Sequence, residues 1–151
     1  MSAVRIVSVE IETFAHATED PEKVLKSLKF ILPEEIHDEV NIKQGELKGH
    51  YKNPIIYFRT SIRKKRLVEK VISHLINLLS EKEKKRIKSS FEKRLDPSGN
   101  LYLRFDKQKA YLGEAVLTEG GDAIRVKIAF SSHPLELNKI LDFCEKIKLV
   151  K

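Results

Sequence analysis

The stretch DAIRVKIAF, Asp122 to Phe130, alternates apolar and polar residues over most of its length. Successive side chains of a strand leave opposite faces. Ile124, Val126, Ile128 and Phe130 therefore line one face, and Arg125 and Lys127 the other. A strand covered on both sides reads as a continuous apolar run, whereas alternation marks a sheet with one packed and one open face. Just upstream, Ala115 to Thr118 is expected to form a hairpin with this strand around Gly120-Gly121.

Further out, Leu101, Leu103 and Phe105 alternate with Tyr102 and Arg104 in another strand, which follows a turn at Asp96-Pro97-Ser98-Gly99-Asn100. Lys107 to Gly113 reads as a short turn or helical connection. Towards the N-terminus, Val7, Val9 and Ile11 alternate with Ser8, Glu10 and Glu12 in a strand over about 4–14. Two more strands are expected at 39–49 and at Ile55 to Ile62.

Helices fill the gaps. Asp20 is an N-cap before Pro21, and Pro33 ends that helix. The longest helix, 63–79, has a broad apolar face through Leu67, Val71, Leu75 and Leu78. Ser80 and Glu83 have capping-box spacing and start another, running to about Arg94 with a thin apolar stripe. His133-Pro134 opens the last, with Leu137, Ile140, Leu141 and Cys144 facing inward. Strands and helices do not alternate regularly, so the expected class is α+β: a mainly antiparallel sheet with helices on one face. The 151 residues show no repeat or linker and fit a single domain, 1–151.

The chain is 41% hydrophobic, enough for a core, but no apolar run is long enough to span a membrane. No leader-like stretch opens it, and a single cysteine, Cys144, excludes an internal disulfide. A cytoplasmic protein is expected. The net charge of +7 is local: Arg59 to Arg94 holds 13 Lys/Arg against 4 Asp/Glu, a net +9. Such a concentrated patch is the footprint of a polyanion partner.

Within it, Arg63-Lys64-Lys65-Arg66 stands at the start of the 63–79 helix. That end of a helix carries partial positive charge and normally prefers acidic residues. Four cations there break a local rule, and free N–H groups with added cations suit a phosphate. Arg66, Lys70 and Asn77 continue at helical spacing on the solvent side. A merely solvated charged face is the plainer alternative. The run Lys82, Lys84, Lys85, Arg86 and Lys88 is balanced evenly between backbone tracking and solubility. If their strands are neighbours, Tyr102 and Arg104 join Arg125 and Lys127 in a cationic face with a ring that could stack a base.

Catalytic groupings are poor. The five histidines show no metal-ligand spacing, there is no Cys pair, and no nucleophile motif or Walker-type loop occurs. Asp96, Asp106 and Asp122 all occupy ordinary turn or cap positions, and Cys144 reads as core. No metal, cofactor or small-molecule substrate is expected, and the chain does not read as an enzyme.

The motifs His50-Tyr51-Lys52-Asn53-Pro54-Ile55 and Arg104-x-Asp106-Lys107-Gln108-x-Ala110 resemble an archaeal family of RNA-binding, exosome-associated proteins. That family is similar in fold to the large-subunit ribosomal protein that contacts 5S ribosomal RNA. The resemblance implies an α+β, ribosomal-protein-like fold, RNA as ligand, and exosome or ribosome-related proteins as partners.

Asn53, Pro54 and Asp106 are expected to be structural, Asp106 as cap of the connection that begins at Lys107. The expected RNA-binding set is Arg59, Arg63, Lys64, Lys65, Arg66, Lys70, Tyr102, Arg104, Lys107 and Gln108. The expected function is an accessory factor in RNA processing or degradation. Its main rival is an interaction module that docks on an acidic protein surface without touching RNA; a pull-down that survives nuclease would favour it. A metal-dependent nuclease built on the scattered carboxylates is a weaker third.

Overall fold

The computed structural model describes residues 3–48 and 53–151. Five strands form one sheet: β1 (Arg5–Ala15), β2 (Lys43–Lys48), β3 (Pro54–Ile62), β4 (Asn100–Asp106) and β5 (Ala123–Ser131). Their spatial order is β2-β3-β1-β5-β4, and every neighbouring pair is antiparallel. The helices are α1 (Pro21–Ile31), α2 (Lys65–Leu78), α3 (Glu81–Ser89), α4 (Phe91–Arg94), α5 (Lys107–Tyr111) and α6 (Leu137–Lys146).

The alternation read in the sequence becomes one buried face. Val9 and Ile11 of β1, Phe58 and Ile62 of β3, Leu101, Leu103 and Phe105 of β4, and Ile124, Val126 and Ile128 of β5 are all buried. Helices supply the other half of the core: Val24, Leu28 and Ile31 from α1, Val68, Val71 and Leu75 from α2, and Ile87, Phe91 and Ile140 from the rest. Each such side chain contributes roughly 1.5–3 kcal/mol when fully buried. The class is α+β, as the pattern requires.

Local signals explain several boundaries. The Asp20 side chain accepts from Glu22 N–H, with Pro21 in the first position of α1. Ser80 accepts from Glu83 N–H at the start of α3. The turn at Asp96 forms as expected, with Gly99 N–H donating to Asp96 O and Gly99 at φ 87°.

Other boundaries differ from the sequence reading. The hairpin expected between Ala115–Thr118 and Asp122–Phe130 does not form, because β1 and β4 occupy both edges of β5. Leu117 instead bridges Phe105 on β4, with Thr118 N–H donating to Arg104 O at 2.9 Å. The buried Glu83 carboxylate fastens that segment by accepting from Leu117 N–H at 2.9 Å.

The helix expected from Ser80 to Arg94 divides at Ser90, whose hydroxyl donates to Arg86 O at 2.7 Å. Such side-chain bonds compete with helix hydrogen bonding. A 3-10 turn, Glu34–Glu39, displaces the start of the strand expected at 39, so β2 begins at Lys43. Helix α2 begins at Lys65 rather than 63, and α6 at Leu137, three residues after Pro134. The turn expected at His50-Tyr51-Lys52 lies outside the described residues.

Candidate nucleic-acid interface

The face of the sheet opposite the core is a lattice of charge and aromatic rings. Antiparallel register places Lys43 beside Arg59, Arg59 beside Glu12, Glu12 beside Arg125, and Arg125 beside Arg104. This row therefore crosses all five strands. The next row runs Ser61, Glu10, Lys127, Tyr102. Five cations face two carboxylates here. Directly opposed residues of antiparallel strands lie about 4.5–5.5 Å apart, so these are neighbours in space although far apart in sequence.

Two arginine–tyrosine pairs sit within the lattice. The Arg125 guanidinium lies 5.5 Å from the centre of the Tyr102 ring, and Arg59 lies 5.4 Å from that of Tyr57. Tyr57 rests on Gly45, its cross-strand partner, where a Cβ would come within 2.4 Å of the ring. Glycine there lets the ring lie across β2.

Tyr102 is fixed from its far end, because its hydroxyl donates to Asp96 at 3.1 Å. Burial and that bond together push the Tyr102 pKa up. Burial disfavours the Asp96 carboxylate, but hydrogen bonds from Asn100, Tyr102 and Ser98 outweigh it and hold its pKa below the usual value. The turn between α4 and β4 thus orients one of the two rings.

The cations differ in how far they are matched. Arg59 is ion-paired with Glu12, and that bond, opposed by partial burial, raises its pKa. Arg104 and Arg125 face each other with no carboxylate bound to either among the described residues. Arg104 also acts on Arg94, whose pKa is lowered first by burial and then by the positive charge of Arg86 and Arg104.

The sequence-predicted residues divide into groups. Arg59, Tyr102 and Arg104 meet on the open face. Arg63 and Lys64 precede α2, with Lys64 at its N-cap, so only Lys65 and Arg66 lie in the first turn. No side chain caps that end and no acidic residue occupies its first turn. Arg66 is paired with Glu39, and Lys70 with Glu35 at 3.3 Å. Gln108 is exposed on α5.

Lys107 departs from its expected exposure: it is 8% exposed. Its ammonium donates to Phe14 O at 2.8 Å, Glu19 at 2.9 Å and Asp122 at 2.7 Å. All three of its hydrogens are used within the chain. Asp106 caps α5 as expected, accepting from Lys109 N–H at 2.9 Å.

The residues weighed as chemistry in the sequence are dispersed. Asp96 is engaged by its own turn, Asp106 caps α5, and Asp122 lies against Lys107 and His16. His16, Glu19 and Asp122 are near enough to share a cation. The Lys107 ammonium already contacts both carboxylates of that trio. Cys144 is buried, which pushes its thiol pKa up to about 12.

Lys43, Tyr57, Arg125 and Lys127 are the open-face residues that the expected set lacks. Alternation had placed Arg125 and Lys127 on a polar face, but not beside which strand. Nothing in the sequence marked Lys43 or Tyr57.

A family model described as RNA binding matches residues 8–130, reaching from β1 into β5. RNA-binding protein PAB1135 of Pyrococcus abyssi is 40% identical over 135 residues, covering 89% of this chain and 88% of its own. An uncharacterized protein of Methanocaldococcus jannaschii, MJ0213, is 34% identical over 82% of this chain and 83% of its own. Among solved structures, protein AF2318 from Archaeglobus fulgidus, of the DUF54 family, superposes with a TM-score of 0.81 at 37% identity. That match covers 94% of this chain and 99% of the other.

Proposed function

Since the chain belongs to the RNA-binding family whose model spans residues 8–130, we propose that it binds RNA across the open face of the sheet, as a binding protein rather than an enzyme. Arg104 and Arg125 carry the proposal. Like charges directly opposed on a sheet destabilise it, by roughly 0.2–1 kcal/mol on the scale of cross-strand pairs. A local cost of this kind is characteristic of functional sites, and a phosphate between the two guanidinium groups would supply the missing countercharge. Tyr102 beside them offers a stacking surface, and Arg59, Tyr57, Lys43 and Lys127 extend the same surface across the sheet.

Arg63, Lys64, Lys65, Arg66 and Lys70 add to the positive field that draws RNA in. Lys107 acts structurally in this reading, and Gln108 stays available as an accessible amide. Docking on an acidic protein without RNA contact is the less favoured reading, since the matched family and the Pyrococcus abyssi relative both carry RNA binding in their descriptions. At the level of pathway, the proposed role is an accessory factor in RNA processing or degradation, in the cytoplasm and beside exosome components. Its support is the resemblance carried by Arg104-x-Asp106-Lys107-Gln108-x-Ala110.

The test is affinity for a structured RNA and for a single-stranded RNA, each measured against salt with duplex DNA as competitor. The expected result is RNA preferred over DNA, log affinity falling steeply with log salt, and a clear loss in Arg104→Ala/Arg125→Ala/Lys127→Ala. Full affinity in that variant would move the interface off the open face, and no binding at low salt would overturn RNA as the ligand.

A further inference from the structure

At the end of the sheet where β3 gives way to α2 lies a groove of about 760 Å³. Its floor is aliphatic and aromatic: Ile6 from β1, Ile72 and Ile76 from α2, Phe143 from α6, and Ile147 at the C-cap of α6. Several of these are only partly buried, although they pack against the core. Three cations, Arg5, Arg63 and Lys65, line the same groove with one carboxylate, Glu69. No ion pair engages any of those three cations among the described residues, in contrast to Arg59, Arg66, Lys70 and Lys107, which all have carboxylate partners.

The groove is also bounded by main chain. Val4 to Val7 line it consecutively. β1 pairs with β3 from Val9 onward, opposite Ile62, whereas it pairs with β5 from Arg5. Among the described residues, then, β1 before Val9 has a strand on its β5 side alone. The vacant side opens where Arg63 turns away into α2. A short sheet edge with unpaired N–H and C=O groups is a template for an added strand.

We propose that this groove binds an extended acidic peptide segment of a partner protein by strand addition along β1. Side chains of an added strand alternate, so one set would enter the apolar floor while the other meets Arg5, Arg63 and Lys65. The occupant therefore alternates aliphatic with Asp or Glu side chains. RNA fits less well, because the floor is mainly branched aliphatic, with Phe143 the one aromatic ring lining it among the described residues. The groove and the open face are lined by different residues, so the chain could hold RNA and a protein together. The proposal does not depend on the RNA reading.

The test begins with a displayed library of random twelve-residue peptides selected on the full chain. Enriched peptides are then synthesised with a fluorophore and titrated by anisotropy. Enriched sequences are expected to alternate aliphatic and acidic residues. Arg63→Glu/Lys65→Glu is expected to weaken them by roughly tenfold or more, given two reversed charges at a partly desolvated rim. Both positions are exposed, so the variant should fold normally, which circular dichroism would verify. Arg104→Ala/Arg125→Ala should leave peptide binding unchanged, and amide shifts on titration should centre on Ile6, Ile72 and Ile147.

Several results would overturn the proposal: no enrichment, enrichment without acidic bias, or acidic peptides bound equally by the charge-reversed variant. Displacement of bound peptide by RNA, with RNA affinity lost in Arg63→Glu/Lys65→Glu, would assign the groove to nucleic acid instead. RNA binding that fails while peptide binding persists would sink the open-face reading and leave this one standing.

Discussion

Replacing Arg104 with Gln should stabilise the protein and weaken its hold on RNA, two effects of opposite sign from one side chain. Arg104 is exposed and makes no side-chain hydrogen bond or ion pair among the described residues. Its removal therefore opens no cavity and orphans no partner. What goes is repulsion from Arg125, directly opposite on β5, and from Arg94, whose pKa is lowered in part by Arg104.

Cross-strand charge effects are worth roughly 0.2–1 kcal/mol. In a domain of this size, 1 kcal/mol shifts Tm by about 2–4 °C, so Arg104→Gln should melt up to a few degrees higher. The gain should fade at 1 M salt, where the Debye length shrinks to about 3 Å. On the binding side, one lost phosphate contact should flatten the slope of log affinity against log salt by roughly 0.7 for single-stranded RNA. A charge-assisted contact worth about 1–2 kcal/mol corresponds to a loss of roughly 5–30-fold in affinity.

Thermal melts at low and high salt, with anisotropy titrations across a salt series, measure both effects on the same preparation. A variant that binds RNA with unchanged affinity and slope would refute the reasoning. So would one that is less stable at every salt concentration, since Arg104 would then be supporting the fold through contacts of its own.

Lys107→Met should destabilise by about 1–3 kcal/mol, since it strips hydrogen bonds from Glu19, Asp122 and the Phe14 carbonyl. RNA affinity should not move, which titration and urea melts would show together. Glu83→Ala should cost a similar amount, about 1–3 kcal/mol, by orphaning the Leu117 N–H; amide exchange at Leu117 should accelerate before that of β4. Burial disfavours the Asp96 and Asp122 carboxylates, but hydrogen bonds and, for Asp122, the Lys107 charge outweigh it and hold both folded pKa values below the ordinary one. A depressed carboxylate adds stability that is complete above its unfolded value, about 3.9, and is lost as pH falls through the folded value. Urea midpoints should therefore hold steady from neutral pH down to about 5 and drop below about 4, less steeply in Asp122→Asn. Cys144, with its thiol pKa near 12, should resist an aromatic disulfide reagent at pH 8 until urea opens the core; fast labelling of the native protein would contradict its burial.

Most of the fold was legible because the decisive patterns are local. Alternation in Asp122 to Phe130 separates the packed face from the open one without knowledge of any partner. Asp20, Ser80 and Asp106 bond to N–H groups two or three residues ahead, within reach of sequence spacing. The failures were of another kind. Gly120-Gly121 suits a hairpin, but the partner of β5 is settled by β1, more than a hundred residues upstream, and by β4. Lys107 opens α5, where an exposed first turn is the ordinary expectation. Its burial comes from the loop holding Glu19 and from Asp122, neither of which is near it in sequence.

The candidate interface shows why density of charge along a chain is a poor guide to density of charge in space. Consecutive residues of a helix point about 100° apart, so cations in a run at a helix start are scattered around it. Arg63 and Lys65 line the groove, Lys64 stands at the N-cap, and Arg66 reaches Glu39. Strands do the reverse. Arg59, Arg104 and Arg125 are isolated from one another in the sequence, yet register gathers them into one row across the sheet. A ligand that carries its charge at regular intervals along a backbone meets that row as a set of neighbouring contacts, whereas at the helix start Arg63 and Lys65 share a groove apart from it and Arg66 is already paired with Glu39. The strongest run of cations in the sequence is thus the weaker candidate for holding a phosphate backbone, and the scattered arginines of the strands are the better one.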